Sequence, residues 1–361
     1  MQTAHERPED PCRAARERLL IGLALLLLTL PLGWWLWERR HRRTGTTSPG
    51  LQEQISLPFE QEFELYHNAF SLCSKKVRVC LAELGIDHAS HPINLIETGS
   101  YETLSRRFLA VNPECTVPVL VHNGHPVYES HEQIRYAAEH AGEEADPLIP
   151  TDPDLAAEMQ AWVDRSSLTG DNPLAETQKS AANCVPGLTV PLFCAMMTDI
   201  PFSKLLPGLL FHRDRMRPMM FFAMKVAGLG GLAKLKPAAR AIRASVRDMN
   251  SHLDALEAKL EESGGPWLLG DAYTLADVSW VVIFDRMREA DCADLFLGGD
   301  LHPRVTAYRD RLFARSSYAK GIWAHEHPIV QLGTERIREA RRSDPRFQAL
   351  VAGEGQARNG R

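Results

Sequence analysis

The segment from Phe63 to Leu84 constrains the fold of this chain more than any other stretch of the sequence. It opens with a short run in which successive side chains alternate between two faces, and such a run predicts a β-strand. It continues with Val77, Leu81 and Leu84 at the spacing of one helix face. The segment therefore predicts a strand, a short turn and a helix, and the turn is the first candidate for a functional site.

The turn between the predicted strand and helix carries side chains that are able to act as nucleophiles. Ser71, Cys73 and Ser74 supply two hydroxyls and a thiol. A helix N-terminus presents free amide groups and the positive end of the helix dipole, which favour the reactive anionic form. Lys75 and Lys76 follow in the first helical turn, where cations are disfavoured unless an anion is held nearby. In the alternative interpretation Ser74 only caps the helix, Cys73 only packs and both lysines are solvated.

The composition and the cysteine spacing exclude several classes of function. The 361 residues are 44% hydrophobic, and the formal net charge of −5 gives no bulk attraction to nucleic acid, so no nucleic-acid partner is expected. The seven cysteines are odd in number, and no pair has the spacing of a CxxC or zinc motif, which indicates free thiols in a reducing compartment. The histidine pairs at positions 122 and 125 and at 325 and 327 lack a third ligand at suitable spacing, so no metal site is expected.

A stretch without charges near the N-terminus predicts a membrane anchor. Residues 19–37 are uncharged, which is about the length that spans a bilayer as a helix, and Trp34, Trp35 and Trp37 stand where an interfacial belt would lie. A cleaved signal peptide is the alternative, but the apolar run is long, and no small-residue cleavage site precedes the arginines that follow it. These arginines predict a single-pass anchor with the C-terminal part of the chain in the cytoplasm. The flanking segments are a polar N-terminus, residues 1–18, and a basic flank with a flexible stalk, residues 38–61.

Residues 62–142 are predicted to form a small α/β domain with the order strand, helix, strand, helix, hairpin, helix. Asn123-Gly124 between two apolar runs is typical of the type I′ turn of a hairpin. Pro118 stands just before the hairpin, where the preceding backbone could pair with an outside peptide and a cis bond is expected. Ser130 and Gln133 have the spacing of a capping box, which predicts a second helix N-terminus suited to a carboxylate.

With this order of elements and these motifs, the segment resembles the thioredoxin-like N-terminal domain of glutathione transferases. Val117-Pro118 resembles the cis-proline step of that family, whose backbone pairs with the cysteinyl part of glutathione. Glu129-Ser130 resembles the pair that binds the γ-glutamyl part. The resemblance implies glutathione as the cosubstrate. The implied glutathione-binding residues are Ser74, Val117, Pro118, Glu129 and Ser130.

The turn itself resembles a more specific signature. Residues 71–78, SLCSKKVR, are similar to the motif of the zeta class and of tetrachlorohydroquinone reductive dehalogenase. There the first serine activates glutathione and the cysteine two residues later takes part in thiol chemistry, which implies that Ser71 and Cys73 are catalytic. Residues 65–67 and 76–78 also resemble the ganglioside-induced differentiation-associated protein family, which is anchored in membranes at its C-terminal end instead.

The second half of the chain is predicted to be helical. Residues 150–330 resemble the all-helical C-terminal domain of the same family, and Thr274 and Asp277 form a capping box like its buried capping motif. An insert at about residues 168–245 mixes apolar and basic residues and is absent from ordinary family members. It predicts added core helices or, alternatively, a wall for a hydrophobic substrate or a contact with a membrane surface. Residues 331–361 are a basic tail, predicted to be a solvated helix or disordered.

The predicted fold class is an α/β thioredoxin-like N-terminal domain followed by an all-α C-terminal domain, with an N-terminal transmembrane helix. The resemblance implies a glutathione transferase that activates the glutathione thiolate for attack on a small hydrophobic electrophile, and the apolar run adds a membrane anchor to this prediction. A homodimer is typical of the family and is expected here as well. Two alternatives stay open. One is a glutathione-dependent thiol transferase or reductive dehalogenase that uses Cys73, and the other is a non-catalytic binding or interaction module at a membrane.

Overall fold

A long apolar helix precedes the two folded domains. In the computed structural model, which describes residues 11–41, 46–170 and 172–351, helix α1 extends over Pro11–His41. Among the described helices it is the one that is, by itself, long and apolar enough to cross a membrane. The candidate span is Arg18–Glu38, and none of it is buried. Signal sequences near an N-terminus also meet this requirement of length and apolarity, so the span itself stays a prediction. Part of the predicted polar terminus is helical, and the rest of it, residues 1–10, lies outside the described residues.

The N-terminal domain is a five-stranded sheet with helices on both faces. Its elements are β1 (Gly50–Leu51), β2 (Phe63–His67), α2 (Leu72–Glu83), β3 (Ala89–Pro92), two 3₁₀ turns (Ile96–Thr98 and Glu102–Leu104), α3 (Arg106–Val111), β4 (Val119–His122), β5 (His125–Tyr128) and α4 (Ser130–Glu139). The strand order is β1-β5-β4-β2-β3, with β2 and β3 parallel and the other pairs antiparallel. This arrangement confirms the predicted order of elements and the predicted thioredoxin-like domain.

The sheet holds the domain together because alternate residues of its central strands are buried on opposite faces. Leu65, Leu120 and Val127 pack with α2 and α4 in the main core. On the other face Val119 and Val121 pack with α3 in a smaller cluster. Both faces of the sheet are thus covered, as the apolar character of these strands requires.

The predicted hairpin between β4 and β5 is confirmed, and it also holds the linker. Asn123 and Gly124 have φ values of 50° and 83°, as a type I′ turn requires. The Gly124 carbonyl accepts a hydrogen bond from the Leu57 amide at 2.8 Å, and β1 pairs with β5 at the edge of the sheet. The linker over residues 46–61 therefore differs from the predicted flexible stalk, because its backbone finds partners on an open strand edge.

The C-terminal domain is entirely helical. Its helices are α5 (Pro153–Arg165), α6 (Ala181–Met197), α7 (Phe202–Phe211), α8 (Met216–Leu232), α9 (Lys236–Ser263), α10 (Leu275–Glu289), α11 (Asp294–Leu297), α12 (Pro303–Phe313), α13 (Ser316–Gly321), α14 (Pro328–Ser343) and α15 (Pro345–Val351), with 3₁₀ turns at Pro173–Ala175 and Trp323–His325. Helix α6 packs against α8, α9, α10 and α14 at the centre of the domain. The predicted insert therefore contributes a core helix, α6, whereas α7 and α8 keep part of their surfaces exposed.

Two features near the end of the chain bear on the predictions. The capping box of Thr274 and Asp277 is confirmed, and Asp277 also accepts hydrogen bonds from Leu268 N at 3.1 Å and from Tyr308 at 2.6 Å. The predicted solvated tail is packed instead: α14 lies on α6, and α15 buries Phe347. Residues 352–361 lie outside the described part of the chain.

Candidate active site

A buried asparagine shapes the turn that leads from β2 into α2. The Oδ1 atom of Asn68 accepts hydrogen bonds from the amides of Phe70 at 2.9 Å and Ser71 at 3.1 Å. Its Nδ2 group donates to Ile93 O and to the Thr98 hydroxyl, both at 2.8 Å. Asn68 is only 2% exposed, so these bonds lie out of competition with water. The turn that carries the predicted nucleophiles is therefore fixed by a neighbouring strand and loop.

Ser71 caps α2 and has a hydroxyl that is only loosely held. Its Oγ accepts a hydrogen bond from the Ser74 amide at 3.3 Å, and its hydroxyl donates to Val117 O at 3.4 Å, which are both long distances. The hydroxyl is therefore able to turn toward a ligand. Ser74 differs from its predicted role: it is fully buried, and its hydroxyl accepts a hydrogen bond from the Asn68 amide at 3.1 Å. That hydroxyl is therefore engaged within the protein, where it ties the first turn of α2 to the end of β2.

Cys73 is a half-buried free thiol in the first turn of α2, and Lys76 and Arg286 are the buried basic residues whose pKa it affects. Lys76 is buried, and its Nζ donates to the Ser167 hydroxyl at 3.0 Å. Burial lowers the pKa of Lys76, and the charge of a Cys73 thiolate would act in the opposite direction. Arg286 of α10 places its guanidinium 3.6 Å from the centre of the Phe70 ring and donates to the Phe70 carbonyl. Burial lowers the pKa of Arg286 as well. The charges of Glu289, Asp285 and, to a smaller extent, a Cys73 thiolate act to raise that pKa. Lys76 lies on α2 and Arg286 on α10, so both domains contribute buried basic residues to the surroundings of the turn.

Lys75 is buried at the contact between the two domains. Its Nζ lies 2.6 Å from Asp285 Oδ2 and 2.6 Å from Glu289 Oε1, both on α10. Burial alone would raise the pKa of Asp285, but the Lys75 ammonium and the Arg288 guanidinium hold it at about 2. Tyr318 donates to the other oxygen of Asp285 at 2.9 Å. The interpretation in which both lysines are solvated is therefore wrong, and the anion near Lys75 belongs to the protein itself.

The Val117–Pro118 step lies beside the turn and is tied to α4. Its peptide bond is cis, as predicted. Pro118 O accepts a hydrogen bond from Gln133 Nε2 at 2.9 Å, and the same group donates to Val127 O at 2.8 Å. Gln133 is fully buried, and its Oε1 has no partner among the described residues. The predicted capping box of Ser130 and Gln133 is not formed, because the Gln133 side chain turns toward the sheet instead of the helix N-terminus.

Glu129 stands directly before α4 with an exposed side chain and an unusual backbone. Its φ of 67° and ψ of 123° are rarely adopted by a residue with a side chain. Among the described residues its carboxylate has neither a hydrogen bond nor an ion pair within the protein. Ser130 follows as the first residue of α4 and is buried. Strain of this kind persists where the surrounding structure imposes it, and it is common at ligand sites.

The sheet brings most of the predicted site residues together at one end of its strands. The end of β2 pairs with the start of β4, as Tyr66 opposite Val119 shows. The Ser71 hydroxyl contacts Val117, and Gln133 links Pro118 to the helix that follows Glu129. The turn, the cis-proline step and the start of α4 therefore form one continuous surface. Its polar groups are amides, hydroxyls, a thiol and a carboxylate, which suits a small charged peptide. No group of three potential metal ligands lies close together within the described ranges.

Three residues of the site were not found by sequence reasoning: Asn68, Gln133 and Arg286. Gln133 was assigned to a cap, because spacing alone does not tell which way a side chain turns. Arg286 had a signal that could have been used, since four of the last five residues of α10 are charged and follow a long apolar run. Charged residues on a buried helix are seldom left unpaired, so their partners had to lie elsewhere in the chain.

The fold and the site together define a two-domain protein of the glutathione S-transferase class. A family model described as glutathione S-transferase, N-terminal domain matches residues 70–140, and one described as glutathione S-transferase, C-terminal domain matches residues 234–320. The chain belongs to the glutathione S-transferase superfamily, as its motifs predicted. The predictions of an enzyme and of glutathione as its cosubstrate are confirmed at that level, because the relatives are glutathione S-transferases and a reductive dechlorinase.

The relatives include the group that the Ser-x-Cys signature indicated. The 2,5-dichlorohydroquinone reductive dechlorinase of Sphingobium indicum is 27% identical over 299 residues, which cover 73% of this chain and 83% of the relative. Glutathione S-transferase TCHQD of Arabidopsis thaliana is 26% identical over 261 residues, 72% of this chain and 89% of the relative. Among solved structures, beta-etherase LigF of Sphingobium sp. strain SYK-6 has a TM-score of 0.56 at 19% identity, covering 73% of this chain and all of that one. This last likeness supports the fold alone.

Proposed function

We propose that this enzyme removes halogen reductively from a small hydrophobic ring, such as a chlorinated hydroquinone, with glutathione as the reductant. The observation that carries the proposal is the half-buried Cys73 thiol in the first turn of α2, two residues after the Ser71 hydroxyl that caps the helix. The similarity over most of the chain to a protein named for reductive dechlorination supports the same chemistry. Ser71 then acts on the glutathione sulfur and Cys73 on the adduct.

The proposed reaction has three covalent steps. The glutathione thiolate, oriented by the Ser71 hydroxyl, attacks the chlorine-bearing ring carbon, and a C–S bond forms as chloride leaves. The Cys73 thiolate then attacks the sulfur of this adduct. An S–S bond forms, and the ring carbon keeps the electron pair of the C–S bond and takes a proton. A second glutathione thiolate attacks the mixed disulfide and releases glutathione disulfide and the Cys73 thiolate. One C–Cl bond is reduced to C–H, and two glutathione molecules are oxidised to one disulfide.

Simple conjugation is the second candidate, because the first step needs only Ser71 and bound glutathione. The loosely held Ser71 hydroxyl favours it, since a donor at that position stabilises a thiolate. In this case the product keeps the glutathionyl group and Cys73 takes no part. The two candidates differ in their product, a glutathione conjugate or a dehalogenated ring with glutathione disulfide.

Replacing Ser71 with alanine should lower kcat/KM for glutathione by about 100-fold, because a donor to the developing thiolate is lost. The same change removes a helix cap and should lower the free energy of unfolding by about 1 kcal/mol. Ser71→Thr keeps both the hydroxyl and the cap and is the matched control. Steady-state kinetics with a chromogenic electrophile and thermal unfolding measure the two effects separately. Unchanged kinetics in Ser71→Ala would remove Ser71 from the mechanism.

Replacing Glu129 with glycine should raise KM for glutathione by about 10-fold or more, with kcat nearly unchanged, because a hydrogen bond to a charged group is lost. Glycine accepts the φ of 67° at this position without strain, so the stability should not fall. A loss of binding would then come from the carboxylate and not from a damaged fold. Glu132→Gln, in the first turn of the same helix, is the control and should leave KM unchanged. An equal rise of KM in both variants would contradict the assignment.

We further propose that α1 anchors the enzyme in a membrane, with the catalytic domains on the cytoplasmic side. In support, the apolar surface of α1 is exposed, tryptophans stand near its C-terminal end and a cluster of arginines follows. Free thiols agree with a reducing compartment. A homodimer, as is typical of the family, is part of this proposal. The anchor is tested together with the inference below.

A further inference from the structure

The outer surfaces of α7 and α8 are apolar where water-exposed helices are usually polar. On α8 the buried side is formed by Phe221 and Met224, which pack into the core. The opposite side is apolar too, so the helix has no polar face. We call the exposed apolar residues the α7–α8 face. It consists of Phe202, Leu206, Met216, Met219, Phe222 and Val226, each 42–71% exposed.

The residues of this face form one patch that spans both helices. Phe202 of α7 and Phe222 of α8 have ring centres 5.3 Å apart, which joins the two exposed stripes. Lys225 lies with its Nζ 4.9 Å from the centre of the Phe202 ring. Residues 202–236 contain seven lysines and arginines but a single acidic residue, Asp214. An exposed apolar patch within a strongly basic segment is complementary to an anionic lipid surface, which offers negative headgroups above an apolar interior.

The end of α1 reaches the same part of the protein. The Trp34 ring lies 6.1 Å from the ring of Phe211, the last residue of α7. Arg215, in the turn before α8, lies 3.7 Å from Glu38 and stacks over the Trp35 ring at 5.7 Å. Tryptophans at the end of a span lie at the headgroup level. If α1 crosses a bilayer, the turn between α7 and α8 stands at that level as well.

We infer that the α7–α8 face rests in the boundary between headgroups and acyl chains of an anionic bilayer. The inference builds on the proposed anchoring of α1 but concerns a different surface. The apolar side chains of the face enter the boundary, and Lys204 and Arg213 remain among the headgroups. The anchor alone would tether the domains at any orientation. The face fixes one orientation.

The face is also held firmly to the N-terminal domain. Arg217 of α8 forms an ion pair with the buried Glu97 at 2.6 Å. Thr98, the next residue, accepts the hydrogen bond from Asn68 that fixes the catalytic turn. On α7, Gly208 passes so close to Tyr101 that a Cβ atom would overlap the ring. The same loop therefore contacts both the turn that carries Ser71 and Cys73 and the two helices that carry the face, which holds the face in a fixed position on the protein.

Photo-crosslinking in the full-length protein tests the inference. A photoreactive benzoylphenylalanine is placed singly at Met219 and Val226 of the face, at Leu26 in the middle of α1, and at the exposed controls Leu155 and Leu301. Each variant is reconstituted in vesicles of phosphatidylcholine with or without phosphatidylglycerol, irradiated and analysed by intact mass. We expect lipid adducts at positions 26, 219 and 226, several-fold above both controls. Adducts at 219 and 226, but not at 26, should increase with phosphatidylglycerol.

The outcomes separate this inference from the proposed anchor. Lipid adducts at position 26 alone would keep the anchor and overturn the inference. Adducts at 219 and 226 without any at 26 would support the lipid-binding face and overturn the anchor. Crosslinks from 219 and 226 to a second copy of the chain, or to no lipid at all, would overturn the inference, the former in favour of a dimer interface.

Discussion

Replacing Cys73 with serine should abolish reductive dehalogenation while leaving the first attack of glutathione intact. With a chlorinated hydroquinone and glutathione, we expect the dechlorinated ring and glutathione disulfide to form at least about 1,000-fold more slowly, because a serine hydroxyl does not form a disulfide and is a far weaker nucleophile. The glutathionyl adduct should accumulate instead. Liquid chromatography with mass detection measures adduct, dechlorinated product and disulfide in one sample.

Cys115→Ser is the matched control, because Cys115 is the other half-buried thiol among the described cysteines. This variant should keep the dechlorination rate of the wild type. Incubation of the wild type with glutathione disulfide should place a glutathionyl group on Cys73, and intact mass should show that this adduct is absent from Cys73→Ser. Continued dechlorination in Cys73→Ser would contradict the proposed function and leave conjugation by Ser71 as the chemistry of the site.

Replacing Lys75 with methionine should cause the largest loss of stability of any change considered. The substitution fills nearly the same space but leaves Asp285 and Glu289 as buried carboxylates without their shared cation. Breaking a buried ion pair from one side costs about 3–5 kcal/mol. Urea unfolding of the full chain in detergent micelles, followed by tryptophan fluorescence, measures this loss. Lys320→Met changes an exposed lysine and should stay within about 0.5 kcal/mol of the wild type. An equally small change in Lys75→Met would contradict the role of the cluster.

The pH dependence of stability follows from the same cluster. The pKa of Asp285 is about 2 in the folded protein and about 3.9 in an unfolded chain. Because the folded value is the lower one, the ionised carboxylate contributes stability above about pH 4 and loses it as the pH falls toward about 2. Asp285→Asn has no such group, so its stability should depend less on pH in this range. Unfolding titrations of both proteins at several acidic pH values measure the difference.

Local patterns predicted the parts of the fold that depend on neighbours in the sequence. Asn123-Gly124 specified the hairpin, because those two residues accept the backbone angles that its turn requires. The capping box of Thr274 and Asp277 lies within one helical turn and was equally readable. The cis-proline step and the turn that carries Ser71 and Cys73 were predicted from their motifs.

Contacts between distant residues account for what the sequence did not reveal. Lys75 pairs with carboxylates some 210 residues further on, and no local pattern contains that information. The side chain of Gln133 had two possible directions, and the carbonyl of Pro118 offered it a partner inside the protein. The linker and the tail looked solvated because their polar residues are frequent. Their few apolar residues and free backbone groups nevertheless found partners on β5 and α6.

The ion cluster around Lys75 has a consequence for how the enzyme accommodates its substrates. To swing the two domains apart, the chain would have to expose Lys75, Asp285 and Glu289 to water while breaking their shared contacts at 2.6 Å. Such a hinge motion is therefore disfavoured, and the two domains keep one relative orientation. Adjustment to ligands of different size is then left to loops and side chains. Selectivity for substrates therefore depends on the shape of the site and not on closure of the domains.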